Sequence, residues 1–526
     1  MNAIIMAAGT SSRFAPLSYE KPKGLLNVKG EVLIERQIRQ LQEAGISDIT
    51  IVVGYKAELF HYLADLYGVN IVMNEDYNQY NNTSSIIRVI DKLENTYICS
   101  SDNYFPNNVF VNRPSDSYYS ALYAKGITNE YCISTDSQDN IISVTVGGKD
   151  SWYMVGHVYF NNEFSEKFRQ IMISEYPNEE TKKGYWEDVY IKHINELPMM
   201  KIHRYQPHDI EEFDSLEELR LFDDKYINNT GSKIFQNISS ILQCEEKEII
   251  EINVLKKGMT NCSFAFTCKK DNKKYVYRHP GDGTEAFINR NSEYFSMQIA
   301  KQLELDTTFI YMHPTEGWKL SYFIEDARTL DYHNPQELES AVKLLSRLHN
   351  ANIQSKYPYR LWDQANDFLE KIQSLKKDTT TDFYQLNKRI KVLYEYANEE
   401  KWPECLNHCD ALAANFLIDS KNNMTLIDWE YSGQGDTAQD LGSFIACSDM
   451  SYEEAIFAIT QYLEHPPTNE ELRHYLAYTA IASYCWYLWA IYQEANGVDT
   501  GEYLNLWYRY SYLYSEKAMI LYNQKG

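Results

Sequence analysis

Two groups of residues in this chain have the types and spacing needed to handle phosphate. The first opens the sequence: Ala8, Gly9, Thr10, Ser11 and Ser12 follow a short apolar run, with Arg13 and Lys23 close behind. Small residues let backbone N–H groups approach a polyphosphate, and successive N–H groups form an anion-binding nest. Arg13 offers a planar fork for phosphate oxygens and Lys23 a compact charge. The second group lies late in the chain, where His408-Cys409-Asp410 is followed by Asn415 and then, 13 residues further on, by Asp428. Acidic and amide side chains in this order suit phosphoryl transfer.

The first group belongs to a longer string, AAGxxSRFxPxSxxxPK, running from Ala7 to Lys23. This string resembles the signature of sugar-phosphate and choline-phosphate nucleotidyltransferases, most closely the bacterial Lic-type CTP:phosphocholine cytidylyltransferases. The resemblance covers roughly residues 1–225 and implies roles for other residues. Asp102, in Ser101-Asp102-Asn103, resembles the strand-end magnesium ligand. The segment carrying Asn82 and Ser84 resembles the one before the nucleobase-side helix. Trp186-Glu187-Asp188-Val189-Tyr190 resembles the late acidic segment that supplies a second metal carboxylate. Glu187 and Asp188 both qualify, with Asp188 favoured and Glu187 left to the substrate. Trp152, Trp186 and Tyr190 would form part of an aromatic box around a trimethylammonium group. No protein nucleophile is required: Arg13, Lys23 and Mg²⁺ position and neutralise the phosphates.

The second group continues as Ile427-Asp428-Trp429-Glu430 and lacks the DFG and APE strings of protein kinases. It resembles the choline kinase and aminoglycoside phosphotransferase family over about residues 250–500. The resemblance implies that Asp410 accepts the proton of the attacking hydroxyl and that Asn415 and Asp428 hold Mg²⁺. It places Thr260 and Asn261 in a nucleotide loop and pairs Arg278 with Glu293. Trp486 and Trp489, at i and i+3, share a helix face. With Glu430 they are candidates for holding a quaternary ammonium.

These residues need particular elements behind them. Apolar runs at Asn2–Ala7, Ile49–Val53, Asn70–Met73 and Tyr97–Ser100 read as strands, alternating with helical patterns at Glu31–Ala44 and Thr83–Leu93. That alternation predicts an α/β first domain with a doubly wound, mostly parallel sheet, whose ligands sit at strand carboxyl ends. Asp214 opens a helix to about Tyr226, and the polar cluster Asn228–Ser232 marks a boundary. The expected domains are therefore 1–228 and 232–526. The second reads as α+β: strands over 250–280, then long helices, with a short β-like section near 416–428. This is a two-lobed, protein-kinase-like arrangement.

Length and charge agree with two soluble domains. The 526 residues exceed one core, and the net charge of −24 disfavours nucleic acid and anionic membranes. Nine cysteines without a repeating spacing read as reduced cytoplasmic thiols. No segment reads as a signal peptide or membrane span. Taken together, the expectation is a cytoplasmic bifunctional enzyme. It would phosphorylate choline with ATP and join phosphocholine to CTP, giving CDP-choline and pyrophosphate. Ethanolamine or another amino alcohol or amide, a nucleotide-sensing role for one domain, and homo-oligomerisation all remain open at this stage.

Overall fold

The computed structural model describes residues 1–255, 261–281, 284, 288–375, 382–496 and 500–524. The chain divides into two compact units, Met1–Val254 and Leu255–Gly526.

The first unit is built on a seven-stranded sheet of β1 (Asn2–Ala7), β2 (Asp48–Val53), β3 (Asn70–Met73), β4 (Thr96–Ser100), β5 (Tyr118–Thr135), β6 (Ile141–Phe160) and β7 (Lys201–Arg204). Its order is β7-β5-β6-β4-β1-β2-β3. β1 pairs in parallel with both β2 and β4, and only β6 runs antiparallel to its neighbours. The central strands are apolar throughout because both faces are covered: Ile4, Ile5, Ile51 and Val52 are fully buried. Helix α1 (Leu33–Glu43) lays Leu33, Ile34, Ile38 and Leu41 against the sheet. The mostly parallel sheet matches the sequence reading.

Two helices differ from expectation. The predicted Thr83–Leu93 helix is only α2 (Asn82–Ile87), followed by a single tight turn at Ile90–Lys92. Val89 between them leaves the helical region at φ −125°. Near residue 214, Ser215 rather than Asp214 is the cap, its side chain accepting the Glu218 N–H. That helix ends at Phe222, short of Tyr226.

The expected boundary at 228–232 also falls inside the first unit. The carboxylate of Glu20 accepts the N–H of Ile234 at 2.9 Å, and Arg220 donates to the carbonyls of Glu246 and Ile249. These bonds hold the segment after 232 to the core of the first unit, and the units part after Val254.

In the second unit β8 (Asn261–Cys268), β9 (Lys273–Pro280), β10 (Phe309–Met312) and β11 (Lys319–Tyr322) pair antiparallel in the order β8-β9-β11-β10. Helix α4 (Arg290–Gln302) follows β9. The helical part contains α5 (Pro335–Asn350), α6 (Ala438–Ala446), α7 (Asn469–Ala495) and α8 (Tyr503–Asn523). Helix α7 is buried almost all round from Arg473 to Leu488, as a central core helix must be. Two short strands, Phe416–Ile418 and Met424–Leu426, form the expected β-like section and separate Asn415 from Asp428. Strands β12 (Glu404–Asn407) and β13 (Gly433–Asp436) pair antiparallel beside them. This is the two-lobed kinase arrangement. All nine cysteines are free, and among the described residues no helix is long and apolar enough to cross a membrane.

Candidate active sites

In the first unit a cleft of about 520 Å³ opens at the carboxyl ends of β1 and β4. It is lined by Ala8 to Ser11, Pro22 to Gly24, Tyr77 to Asn82, and Ser101-Asp102. The strand–loop junctions deliver these groups there, as in other open parallel sheets. Glycine makes the fit possible beside the loop: a Cβ on Gly54 would lie 2.7 Å from Tyr77 Cβ. Lys23 is buried at the floor, and its ammonium meets the Asp102 carboxylate at 2.9 Å. Burial works against its charge, but Asp102, then Glu212 and Asp214, more than offset this and raise its pKa.

Glu212 and Asp214 bring negative charge close to Lys23 and Asp102, which the sequence reading missed. The short pairing of Glu211–Glu212 with Asn103–Tyr104 carries Glu212 across from Asn103, next to Asp102. Surrounding protein, then the Asp102 charge, raises the Glu212 carboxyl above its usual range, although its side chain still reaches solvent. Arg13 is largely exposed and approaches Asp214 at 3.9 Å. The only local signal was the acidic Glu211-Glu212-Phe213-Asp214 string, which reads equally well as a helix start.

Several expected roles in this unit are corrected. Asp188 does not join Asp102: its Oδ2 accepts the Tyr185 N–H and its Oδ1 the Tyr131 hydroxyl, both at 2.8 Å. Trp186 and Tyr190 are core residues of α3 (Trp186–Lys192), 3% and 1% exposed. Trp186 stacks on Tyr119 and Tyr190 packs on Phe164, so neither face is open to a cation. Trp152 already carries the Arg204 guanidinium 5.4 Å from its ring. Ser84 is fully buried, bonded to Asn81 O and Asn74, and lies behind the cleft. Ser12 is exposed beside the loop and outside the cleft lining. Asn82 lines the cleft while bridging to α3, donating to Glu187 at 3.1 Å and accepting the Trp186 N–H at 2.8 Å. Glu187 also accepts the Tyr119 hydroxyl, and burial raises its pKa to about 7 against those hydrogen bonds.

In the second unit Asp410, Asn415 and Asp428 converge. Asn415 Nδ2 donates to the carboxylate of Asp410 at 3.0 Å and to its carbonyl at 2.8 Å. Burial, then the charges of Asp428 and Glu430, hold the Asp410 carboxyl well above the usual carboxylate range. The Arg278 guanidinium meets Glu293 at 2.5 Å and stands 3.7 Å from Asp428. Burial opposes its charge, but Glu293, Glu430 and Asp428 keep it firmly protonated. Thr260 lies outside the described residues.

Asn261 Nδ2 donates to Glu430 at 2.7 Å, and Arg278 stands 3.9 Å from the same carboxylate. Glu430 therefore lies on the Arg278 side of the site, and its charge also acts on Tyr431. Trp486 and Trp489 do come together, with ring centroids 6.3 Å apart. They are joined by Tyr431, 6.4 Å from Trp486, and by Trp507, 6.0 Å from Trp489, which stacks on Tyr503. Trp507 and Tyr503 come from α8, which sequence spacing along α7 cannot reveal.

The comparisons with known proteins also fall into two parts. Residues 3–122 match the MobA-like NTP transferase domain and residues 252–484 match choline/ethanolamine kinase. The first half is 38% identical to 2-aminoethylphosphonate cytidylyltransferase of Lancefieldella rimae, over 43% of this chain and 93% of that protein. It is 34% identical to choline-phosphate cytidylyltransferase of Streptococcus pneumoniae, over 42% of this chain and 96% of that one. This chain belongs to the NTP transferases in its first half, and its second half matches the choline/ethanolamine kinase model. The kinase half is also 26% identical to Protein LicA of Haemophilus influenzae, over 44% of this chain and 89% of that protein. The NTP transferase unit thus carries the Lys23–Asp102 cleft, and the kinase unit carries the Asp410–Asn415–Asp428 cluster. Both halves are enzymes.

Proposed function

We propose that the kinase unit phosphorylates choline with ATP and that the NTP transferase unit joins the resulting phosphocholine to CTP. The observation that carries this reading is the presence in one chain of a phosphate cleft floored by Lys23 and Asp102 and a base, Asp410, held by Asn415. In the kinase unit the alcohol oxygen attacks the γ-phosphorus, the bond to the bridging oxygen breaks, and ADP leaves. Asp410 takes the hydroxyl proton; its poor hydration favours accepting one. In the transferase unit a phosphocholine oxygen attacks the α-phosphorus of CTP and pyrophosphate leaves. Lys23 and the nest over Ala8–Ser11 hold and neutralise the triphosphate, and Arg13 closes on it from the exposed side.

The donor sets fit Mg²⁺, a hard ion that takes oxygen ligands. With its amide nitrogen spent on Asp410, Asn415 keeps its carbonyl oxygen to place beside the accessible Asp428 carboxylate. In the transferase unit the candidates are Asp102, Glu212 and Asp214, in place of Asp188. When bound, Mg²⁺ would neutralise charge on the phosphates. The cage of Tyr431, Trp486, Trp489 and Trp507 would hold the trimethylammonium group by its ring faces. In the transferase unit Tyr131, Tyr185 and the exposed Asp188 carboxylate replace the expected box as the place for that group. Both nucleotides are cytoplasmic, so the reading places the protein there.

A second reading rests on the 38% identity to a 2-aminoethylphosphonate cytidylyltransferase. The transferase unit would then take a phosphonate, which already carries its phosphorus. The kinase unit favours the ester, because a kinase makes a phosphate monoester from an alcohol. Comparing kcat/KM of the purified chain for phosphocholine, phosphoethanolamine and 2-aminoethylphosphonate with CTP decides between them. Preference for the phosphonate would overturn the choline assignment.

A further inference from the structure

Helix α1 buries an apolar face, yet that face contains Gln37, fully buried among Leu33, Ile34, Ile38 and Leu41. Leucine would fill that space without an amide to satisfy. The amide has a definite use. Gln37 Nε2 donates to Ser100 O at 2.7 Å and to Asn103 O at 3.0 Å. These are the carbonyls on either side of Ser101-Asp102, so one side-chain nitrogen closes the turn that carries Asp102. The neighbouring contacts of α1 fall further along: Gln40 donates to Phe105 O at 2.9 Å, and Arg36 to Phe105 O and Pro106 O.

The other side of the turn is shaped too. A Cβ on Gly24 would lie 2.9 Å from Ser101 Cβ, so the absence of a side chain next to Lys23 lets the turn close on the lysine. Lys23 and Asp102 then meet at 2.9 Å. We infer that Gln37 is a positioning residue of the transferase reaction, fixing Asp102 at the place where it meets Lys23 and the metal-bound triphosphate. The inference rests on Asp102 being the metal carboxylate of the proposed function. It does not depend on which phosphoalcohol is used. A loop end must be held to a fraction of an ångström for such a role, and a buried two-carbonyl clamp supplies that where packing alone would not.

The test uses the full chain with Asp428→Asn as background, so that the kinase unit contributes no metal site. Mn²⁺ binding is followed by electron paramagnetic resonance with a non-hydrolysable CTP analogue, alongside cytidylyl turnover. Gln37→Met keeps the length and removes both donors. The expected result is a fivefold or larger weakening of Mn²⁺ binding and a 10- to 100-fold fall in kcat, with analogue affinity in metal-free buffer within threefold of the parent. Gln40→Met, which removes a similar bond three residues beyond the turn, should leave Mn²⁺ binding within twofold. Unchanged Mn²⁺ binding in Gln37→Met, or equal weakening in Gln40→Met, overturns the inference. If Gln37→Met no longer binds the analogue, Gln37→Glu is read by the same measure. Failure of both to fold assigns Gln37 to stability alone and also overturns it. If Asp102→Asn leaves Mn²⁺ binding intact, the fault lies in the metal assignment and not in Gln37.

Discussion

The carboxylate of Asp440 accepts the backbone N–H of His408 at 2.7 Å. It also accepts the Cys409 N–H at 2.5 Å and the His349 ring N–H at 2.9 Å, and it is fully buried. Cys409, at φ 67°, holds a backbone conformation that side chains rarely adopt, and these bonds keep it there. Asp440 thus fixes the loop that presents Asp410, with its carboxylate taken up by His408, Cys409 and His349. Asp440→Asn offers one acceptor oxygen for three donors and faces them with an amide. The expected outcome is a loss of about 2–4 kcal/mol of stability in the kinase unit and at least a 100-fold fall in kinase kcat. Denaturant unfolding and the two separate activity assays check this, with cytidylyl turnover unchanged.

Asp410→Asn keeps the shape of the loop and removes the proton acceptor. Kinase kcat should fall by roughly 10²–10⁴, the usual contribution of a general base. ATP affinity, measured by titration calorimetry, should stay within a few-fold.

His157 gives the transferase unit an acid-sensitive core. It lies among Tyr97, Tyr118, Phe105 and Phe110, and burial, then His203, lowers its pKa to about 3. Unfolded, it takes up a proton near its ordinary value of 6.5, so below that pH the unfolded chain binds the extra proton. Its contribution is complete above 6.5 and is lost as pH falls towards 3, an effect on the order of 5 kcal/mol. Urea titrations from pH 8 to 4 should show a shallower fall in stability for His157→Gln than for the parent, whatever their difference at pH 8.

The proposed tryptophan cage predicts a selective loss of cation affinity. Trp507→Leu keeps apolar bulk and removes the ring that packs on Trp489 and Tyr503. The KM for choline should rise about 5- to 30-fold, equivalent to roughly 1–2 kcal/mol, with the KM for ATP unchanged. Equal rises for both substrates would point to a packing defect instead.

The pattern of what sequence disclosed follows from physics. Gly9, Lys23 and Asp102 were read from a short stretch and line one cleft, and Asp410 and Asn415 were read from another and lie in contact, because phosphate chemistry restricts both residue type and spacing. The strands of the sheet were legible because burial on both faces demands unbroken apolar runs. Trp186 and Tyr190 were misread because an aromatic side chain suits a core as well as a cation box, and only the packing on Tyr119 and Phe164 decides. Glu212 and Asp214 were missed because a strand pairing more than a hundred residues long in sequence brings them to Asp102. Trp507 was missed for the same reason, since α8 must fold back on α7 before its ring meets Trp489. The polar cluster at 228–232 offered a boundary in sequence, but a sequence reading could not foresee that Glu20 holds Ile234 to the first unit.

The most direct test of two successive activities in one chain is a time course of the purified protein with choline, ATP, CTP and Mg²⁺, followed by phosphorus NMR. The parent should convert choline to CDP-choline with phosphocholine as the transient species. Lys23→Met should stop at phosphocholine, and Asp410→Asn should make CDP-choline only when phosphocholine is supplied. CDP-choline formed from choline by Asp410→Asn, or no phosphocholine accumulating in Lys23→Met, would contradict the account.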